Sequence, residues 1–176
     1  HRTAERVARQ TGGLVIAISQ RRNLITLYLG NLRYTLKDIT VILNRANQAL
    51  QTLEKYKTGL NKGVTTLSAL EFGDLVTLAD VAALVIRAEK VKRIARDVAR
   101  DIIELGREGR LINMQMEEVI SEEDDVRFLI KDYCLSDDGA AHEQAGAQLA
   151  ELSEENLESY NVCRILGYGV TPNAID

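Results

Sequence analysis

Apolar residues recur every three or four positions over residues 77–105, the spacing of one face of an α-helix. Thr77 and Asp80 have the spacing of a capping box, and Gly106 follows the last apolar position, where a left-handed residue often ends a helix. The pattern predicts one long amphipathic helix of about 40 Å, around which the neighbouring helices pack. Its apolar stripe is Leu78, Val81, Val85, Ala88, Val91, Ala95, Val98, Ile102 and Leu105.

The segment before this helix has the same period. Asp38 is a suitable N-cap, and the apolar stripe that follows it predicts a helix running to about Lys57. Gly59 and Gly63 are expected to end this helix and to lie in a connecting segment, because glycine weakens a helix interior. A short helical turn is then predicted within residues 67–75.

Further amphipathic segments follow the long helix. They predict helices over residues 110–120 and 126–135 and a last pair of helices around Ser153. The glycines of residues 166–169, with Pro172, indicate a final helix stop that leads into a linker.

The first 36 residues have a different pattern. Residues 3–10 predict a short helix that Gly12 and Gly13 end. Three strand-length apolar runs follow, at residues 14–18, 23–29 and 32–36, and the last two predict a hairpin that turns at Gly30-Asn31. The run at 14–18 is typical of a strand covered on both faces. Since so few elements cannot enclose a core, we expect the trailing edge of a larger sheet domain, with this strand uncovered on at least one face.

The sequence therefore predicts a mainly α fold. Residues 37–176 are expected to form a helical bundle with a long central helix, preceded in residues 1–36 by a small α/β remnant. We expect the helical unit to be the more stable of the two, since its apolar stripes can cover one another.

Composition and charge limit the possible functions. The formal net charge of −4 argues against a general nucleic-acid surface. Cys134 and Cys163 lack metal-ligand spacing, which favours reduced thiols in a cytoplasmic protein over a disulfide or a metal site. No apolar run reaches the roughly 20 residues that span a bilayer, so we expect a soluble protein that does not enter a membrane.

Several polar features have two interpretations. We interpret the acidic run at residues 122–125 as a solvated loop and helix start rather than a cation site, and His142 as a surface residue in a loop rather than a metal ligand. Residues 106–109 are read as a turn between helices rather than an anion site. The basic residues of the long helix are read as a solvent-exposed face, paired with Glu89, Asp97 and Asp101, rather than a DNA track. They are Arg87, Lys90, Arg93, Arg96 and Arg100.

The first residues carry the strongest chemical pattern. His1, Arg2 and Thr3 place an imidazole, a guanidinium and a hydroxyl at a helix N-terminus, where free amides and the helix dipole favour a phosphate. Ser19 could reach the same ligand if helix and strand end at one edge of the sheet. The spacing alone is equally compatible with ordinary polar residues at a terminus.

Several segments, in order along the chain, resemble the DisA family of bacterial diadenylate cyclases. Residues 1–6 are similar to the end of that family's Arg-His-Arg nucleotide motif, and residues 49–56 to its linking helix. Segments similar to its central helical domain are residues 67–72, 104–111 and 166–169.

The resemblance implies an enzyme that condenses two ATP molecules into cyclic di-AMP with Mg²⁺ or Mn²⁺. It also implies a homo-oligomer, an octamer in the full-length family, that senses DNA integrity through a helix-hairpin-helix module that binds branched DNA, with a role in DNA damage and repair. By position, His1 and Arg2 would contact the polyphosphate, Thr3 would help to bind the nucleotide, and Ser19 would lie in the same pocket.

The chain departs from the family pattern at both ends. The resemblance places the catalytic Asp-Gly-Ala segment upstream of His1 and the DNA-binding module after Asp176. No catalytic residue and no metal ligand is therefore assigned within the chain, which we expect to be inactive alone. The alternative is a non-catalytic helical module that spaces and oligomerises nucleotide-binding and DNA-binding domains.

Overall fold

The computed structural model describes residues 2–22, 24–36, 38–120 and 125–169. A helix and a small sheet are followed by six helices, which confirms the predicted mainly α fold. The elements are α1 (Arg2–Thr11), β1 (Leu14–Ser19), β2 (Leu24–Leu29), β3 (Leu32–Thr35), α2 (Ile39–Phe72), α3 (Leu78–Leu105), α4 (Arg110–Val119), α5 (Asp125–Tyr133), α6 (Gly139–Glu151) and α7 (Ser159–Ile165). The division at residue 37 stays a prediction.

The three strands form an antiparallel sheet in the order β1-β2-β3. The predicted hairpin is present, and Gly30 has a φ of 55°, a left-handed conformation that glycine adopts without strain. Helix α1 packs on β1 and β2, where Tyr28 is buried. On the other face Leu14, Ile16 and Ile18 are all more than half exposed, so this strand is uncovered on one face, as expected.

Helix α3 forms as predicted. Thr77 is its N-cap, and a capping box is complete because Thr77 accepts from the Asp80 amide while Asp80 accepts from the Thr77 amide. Gly106 ends the helix with a φ of 57°. The apolar stripe is buried at Val85 and Val98, which lie at the centre of the helical core.

Helix α2 differs from the prediction, because it is one continuous helix of 34 residues rather than two pieces. Gly59 and Gly63 do not break it, since both lie on the side that packs against α3. A methyl group on Gly63 would come within 2.5 Å of Leu84 Cδ1, and Arg87 Nη1 donates a hydrogen bond of 2.9 Å to the Gly59 carbonyl oxygen. The close approach of α3 offsets the helix propensity that each glycine loses, about 1 kcal/mol.

The shorter helices complete the core around this antiparallel pair. Helices α4, α5 and α7 contact α3, and α6 packs against α5 and α7. Residues Gly106–Gly109 form one turn of 3-10 helix between α3 and α4, which confirms the interpretation as a connection. At the end of α7, Gly167 has a φ of 97° and the Tyr168 amide donates to the Cys163 carbonyl, the predicted helix stop. Pro172 lies outside the described residues.

The glycine contact can be tested with a matched pair of substitutions. Gly63→Ala should lower the melting temperature, because the new methyl group must displace the buried side chain of Leu84. Gly146→Ala, in the interior of α6, should raise it by about 2–4 °C, since the nearest atom lies at an ordinary 3.6 Å and alanine favours a helix. Thermal unfolding followed by circular dichroism measures both, and an equal rise in the two variants would contradict the close packing of α2 on α3.

Candidate functional site at the sheet edge and the helical junction

The predicted nucleotide-binding residues lie at one end of the small α/β unit. Arg2 and Thr3 begin α1 and are exposed, and Ser19 ends β1 and is half-buried. Because α1 and β1 are joined by the short turn at Gly12, the start of the helix and the end of the strand lie at the same edge. No hydrogen bond is recorded between these side chains in the part of the chain that the structure describes, and His1 lies outside that part. Their role in nucleotide binding stays a prediction.

A second polar cluster joins the sheet to the helices. Arg45 of α2 binds both carboxylate oxygens of Asp101 on α3, with 2.8 Å between Nε and Oδ2. This hydrogen-bonded pair raises the pKa of Arg45. From β3, the interaction of the Tyr34 hydroxyl with the Glu104 carboxylate raises the pKa of Tyr34. The Oε1 atom of Glu104 is buried and has no hydrogen-bond partner among the described residues. One turn of α3 thus receives side chains from both the sheet and α2.

A third cluster lies inside the helical core. Glu89 is almost fully buried, and its Oε1 accepts hydrogen bonds from Arg93 Nε at 2.9 Å and Arg96 Nη2 at 3.1 Å. Arg93 also donates to the carbonyl oxygen of Leu149 at 2.9 Å, which connects α3 to the end of α6. A buried carboxylate needs such partners, because the charge loses its hydration.

These clusters correct one part of the interpretation of the charged residues on α3. The predicted pairing with Glu89 is present, but Glu89 and Asp101 do not lie on a solvent-exposed face, and Asp101 pairs with Arg45 of α2. Glu89 and Asp101 are both buried, and the arginines that pair with them are held in structural contacts. The exposed-face interpretation holds for Arg87, Arg96 and Arg100, which are all exposed. It also holds for Asp97, which lies 3.8 Å from Arg100 and is largely exposed. The burial of Glu89 could have been predicted from the spacing, because Glu89 follows Val85 by one helical turn and so lies on the buried stripe.

His142 also differs from its prediction as a surface residue in a loop. It is half-buried in the first turn of α6, and its Nε2 lies 2.7 Å from the carbonyl oxygen of Ser136. The acidic run is described only at Asp125, which begins α5 as predicted and forms an ion pair of 2.6 Å with Lys57. Residues 121–124 lie outside the described part of the chain.

The chemistry of the remaining candidates is limited. Both cysteines are free thiols, and burial raises the pKa of Cys163. Among the described residues, no three His, Cys, Asp or Glu side chains are grouped to hold a metal ion. An Asp-Gly-Ala tripeptide does occur at residues 138–140, but Asp138 is the N-cap of α6 and its carboxylate accepts from the Ala140 amide. In the described ranges, no helix is both long and apolar enough to cross a bilayer.

The antiparallel pair α2–α3, with its flanking helices, defines a helical linker attached to the end of an α/β unit. Comparison with known families agrees with this class. The family described as "DisA bacterial checkpoint controller linker region" matches residues 36–175 of the chain. The chain is also 52% identical, over 170 residues, to the DNA integrity scanning protein DisA of Bacillus thuringiensis (strain Al Hakam). The same identity relates it to the DisA proteins of Bacillus cereus (strain AH187) and Bacillus anthracis (strain CDC 684 / NRRL 3495).

The chain therefore belongs to the DisA family, and the predicted resemblance is confirmed. The alignment covers 96% of this chain but 47% of each of these relatives. The chain thus spans about half the length of the curated relatives that it matches.

The buried Glu89 network predicts unequal effects of two arginine substitutions on α3. Arg93→Met should lower the free energy of unfolding by about 2 kcal/mol, because Glu89 and the Leu149 carbonyl both lose a charged donor. Arg100→Met should change it by less than about 0.5 kcal/mol, since its ion pair is exposed. Urea denaturation measures both values. Equal destabilisation would mean that the Glu89 network does not contribute to the stability of the core.

Proposed function

We propose that this chain is the helical linker, together with the adjoining end of the nucleotide-binding domain, of a bacterial diadenylate cyclase. The observation that carries the proposal is the family match over residues 36–175, which includes all of the helices from α2 to α7. The relatives are named for DNA integrity scanning, which supports a role in sensing the state of DNA. The proposed enzyme acts in the bacterial cytoplasm.

The proposed reaction joins two molecules of ATP. The 3′-hydroxyl of each nucleotide attacks the α-phosphate of the other, a phosphoester bond forms at each site, and pyrophosphate leaves, so that cyclic di-AMP is the product. Two nucleotide-binding domains must face each other for this reaction, which requires a homo-oligomer; the proposed assembly is an octamer.

The chain's own residues would contribute phosphate binding at one edge of that site. The exposed start of α1 presents Arg2 and Thr3, whose guanidinium and hydroxyl suit phosphate oxygens, and Ser19 ends the strand beside it. We place His1 in the same group from its position in the motif. The reaction would also use Mg²⁺ or Mn²⁺, but the described residues contain no suitable group of ligands, so no metal ligand is assigned to this chain.

The helical part would set the distance between domains. Three residues separate the end of β3 at Thr35 from the start of helix α2 at Ile39, and the 34 residues of α2 extend for about 50 Å. Its continuous backbone and its long contact with α3 suit a rigid spacer. We propose that this spacer separates the cyclase domain from a helix-hairpin-helix module that binds branched DNA.

A non-catalytic assembly module is the second candidate. The exposed apolar face of the sheet favours it, since Leu14, Ile16 and Ile18 offer a surface that another domain or chain would cover. Synthesis of cyclic di-AMP distinguishes the two functions. The full-length protein makes this product if it is the enzyme and does not if it is only an assembly module.

The proposed contact between Arg2 and a phosphate can be tested in a full-length version of the protein. Arg2→Ala should reduce synthesis of cyclic di-AMP by roughly tenfold or more, because a charge-assisted contact to phosphate is lost. Arg9→Ala is a matched control on the same helix, since Arg9 forms an exposed ion pair with Glu5 and should leave synthesis unchanged. Chromatography of the reaction products measures synthesis, and circular dichroism verifies that the helices are retained. Full synthesis in Arg2→Ala would contradict the proposed role.

The 176-residue chain itself should neither make cyclic di-AMP nor bind DNA tightly. Its formal net charge is −4, so the chain as a whole carries no excess of cations for phosphate contacts, and Arg93 and Arg96 of α3 are already paired with the buried Glu89. Incubation with ATP and either Mg²⁺ or Mn²⁺ tests synthesis, and titration of a branched DNA at about 0.15 M salt tests binding. Synthesis by this chain would show that the catalytic residues lie within it.

A further inference from the structure

A groove runs along one face of α6, between this helix and α7. Two clefts of about 340 Å³ and 450 Å³ meet in it, because both are lined by Gln148 of α6 and Ile165 of α7. The residues that α6 contributes to the clefts recur every three or four positions: Ala141, Gln144, Ala145, Gln148 and Glu151. This spacing places them on one face of the helix over about 15 Å. The groove is therefore about as long as a helix of three turns.

The other wall of the groove is apolar and is held in place by hydrogen bonds. The Leu135 amide donates to the carbonyl oxygen of Leu166 at 2.9 Å, and both residues line the groove. The Tyr168 hydroxyl donates to the carbonyl oxygen of Tyr133 at 2.9 Å, which ties the end of α7 to the end of α5. The side chain of Leu135 nevertheless remains 68% exposed. An exposed apolar side chain on a fixed wall suits the apolar surface of a partner.

The surface around the groove is acidic. Residues 132–169 contain eight carboxylate side chains, all of them exposed, and Arg164 is the one lysine or arginine in this range. No ion pair is recorded for any of the eight among the described residues. The excess negative charge of this range is larger than the formal −4 of the whole chain, so the negative charge of the protein is concentrated here. The carboxylates are Asp132, Asp137, Asp138, Glu143, Glu151, Glu154, Glu155 and Glu158.

Charge and shape together limit what the groove can bind. An acidic surface repels phosphate groups, so a nucleic acid does not fit. A second copy of the chain that presented the same face would meet the same negative charges. The described walls are helices and a short connection rather than strands, so an extended peptide finds no strand edge to join. A basic helix that uses its side chains for recognition satisfies all of these constraints.

We propose that the groove between α6 and α7 binds an amphipathic helix of a partner protein, with a basic polar face. The apolar stripe of that helix packs on Leu135 and Ile165, while its lysine or arginine side chains lie beside Glu151 and the surrounding carboxylates. Ala141 and Ala145 have short side chains, so they let the backbone of the partner helix approach closely. The proposal does not depend on the proposed cyclase activity.

The probe for the test is a synthetic peptide of about 15 residues, with leucine at every third or fourth position and lysine at the others. Fluorescence anisotropy of the labelled peptide is measured while the complete 176-residue chain is added at about 0.15 M salt. Binding should be saturable and should weaken as the salt concentration rises. A peptide of the same composition, in which the leucines no longer share one helical face, should bind roughly tenfold more weakly.

Two matched pairs of substitutions locate the binding site. Leu135→Gln should weaken binding roughly tenfold, because an apolar contact is lost. Leu75→Gln is its control, since Leu75 is 67% exposed and lies between α2 and α3, outside the groove. Glu151→Lys should weaken binding to a similar extent, whereas Glu155→Lys makes the same change of charge outside the groove and should have an effect of about twofold at most. All four residues are exposed, so thermal unfolding should change little.

Three results would overturn the proposal. One is the absence of saturable binding, or equal binding of the two peptides, because the groove would then not recognise an apolar stripe. Another is equal weakening by Leu135→Gln and Leu75→Gln, which would place the peptide elsewhere. The third is a dimer of the chain, seen by analytical ultracentrifugation, that Leu135→Gln abolishes and the peptide dissociates, because the occupant would then be a second copy of the chain.

Discussion

The close contact between α2 and α3 is the constraint on which the rest of the structure depends. The two helices approach at Gly63, where Leu84 occupies the space that a larger residue would fill, and the buried stripes of both helices share one core. The shorter helices then pack against surfaces that this pair creates. Without the close approach, α2 would contain two unfavourable glycines in its interior and would have no compensating contact.

Buried charge adds specificity to this apolar packing. A hydrophobic stripe tolerates small rotations and shifts of one helix on another, whereas a buried carboxylate must meet its partner at one position. Asp101 meets Arg45 of α2, and Glu89, through Arg93, is linked to the end of α6. We infer that these contacts fix the register of three helices. The same arginines are consequently unavailable as a continuous surface for DNA.

The parts of the fold that local chemistry determines could be predicted from the sequence. The capping box of Thr77 and the Gly30 turn use residues that are neighbours along the chain. The continuity of α2 could not be predicted in the same way, because the packing that offsets Gly59 and Gly63 comes from residues more than 20 positions away. The burial of Glu89 and Asp101 was missed for a related reason, since charge was taken to mean exposure although Glu89 lies on the buried stripe. For the proposed nucleotide-binding residues, the structure places Arg2 and Thr3 at the exposed start of α1, and their role in binding a nucleotide stays a prediction.

The direct passage from the sheet into α2 has a mechanical consequence. The backbone of Asp38 is extended before the first helical turn, and a change of direction at this residue would swing the whole length of α2. A tilt of about 5° at this residue would displace the far end of α2 by roughly 4 Å, given a rise of about 1.5 Å per residue. Since α3 follows that end of α2 and packs along it, α2 and α3 would move together as one body. A small rotation of the sheet would thereby move the far end of α2 by about the distance of one van der Waals contact.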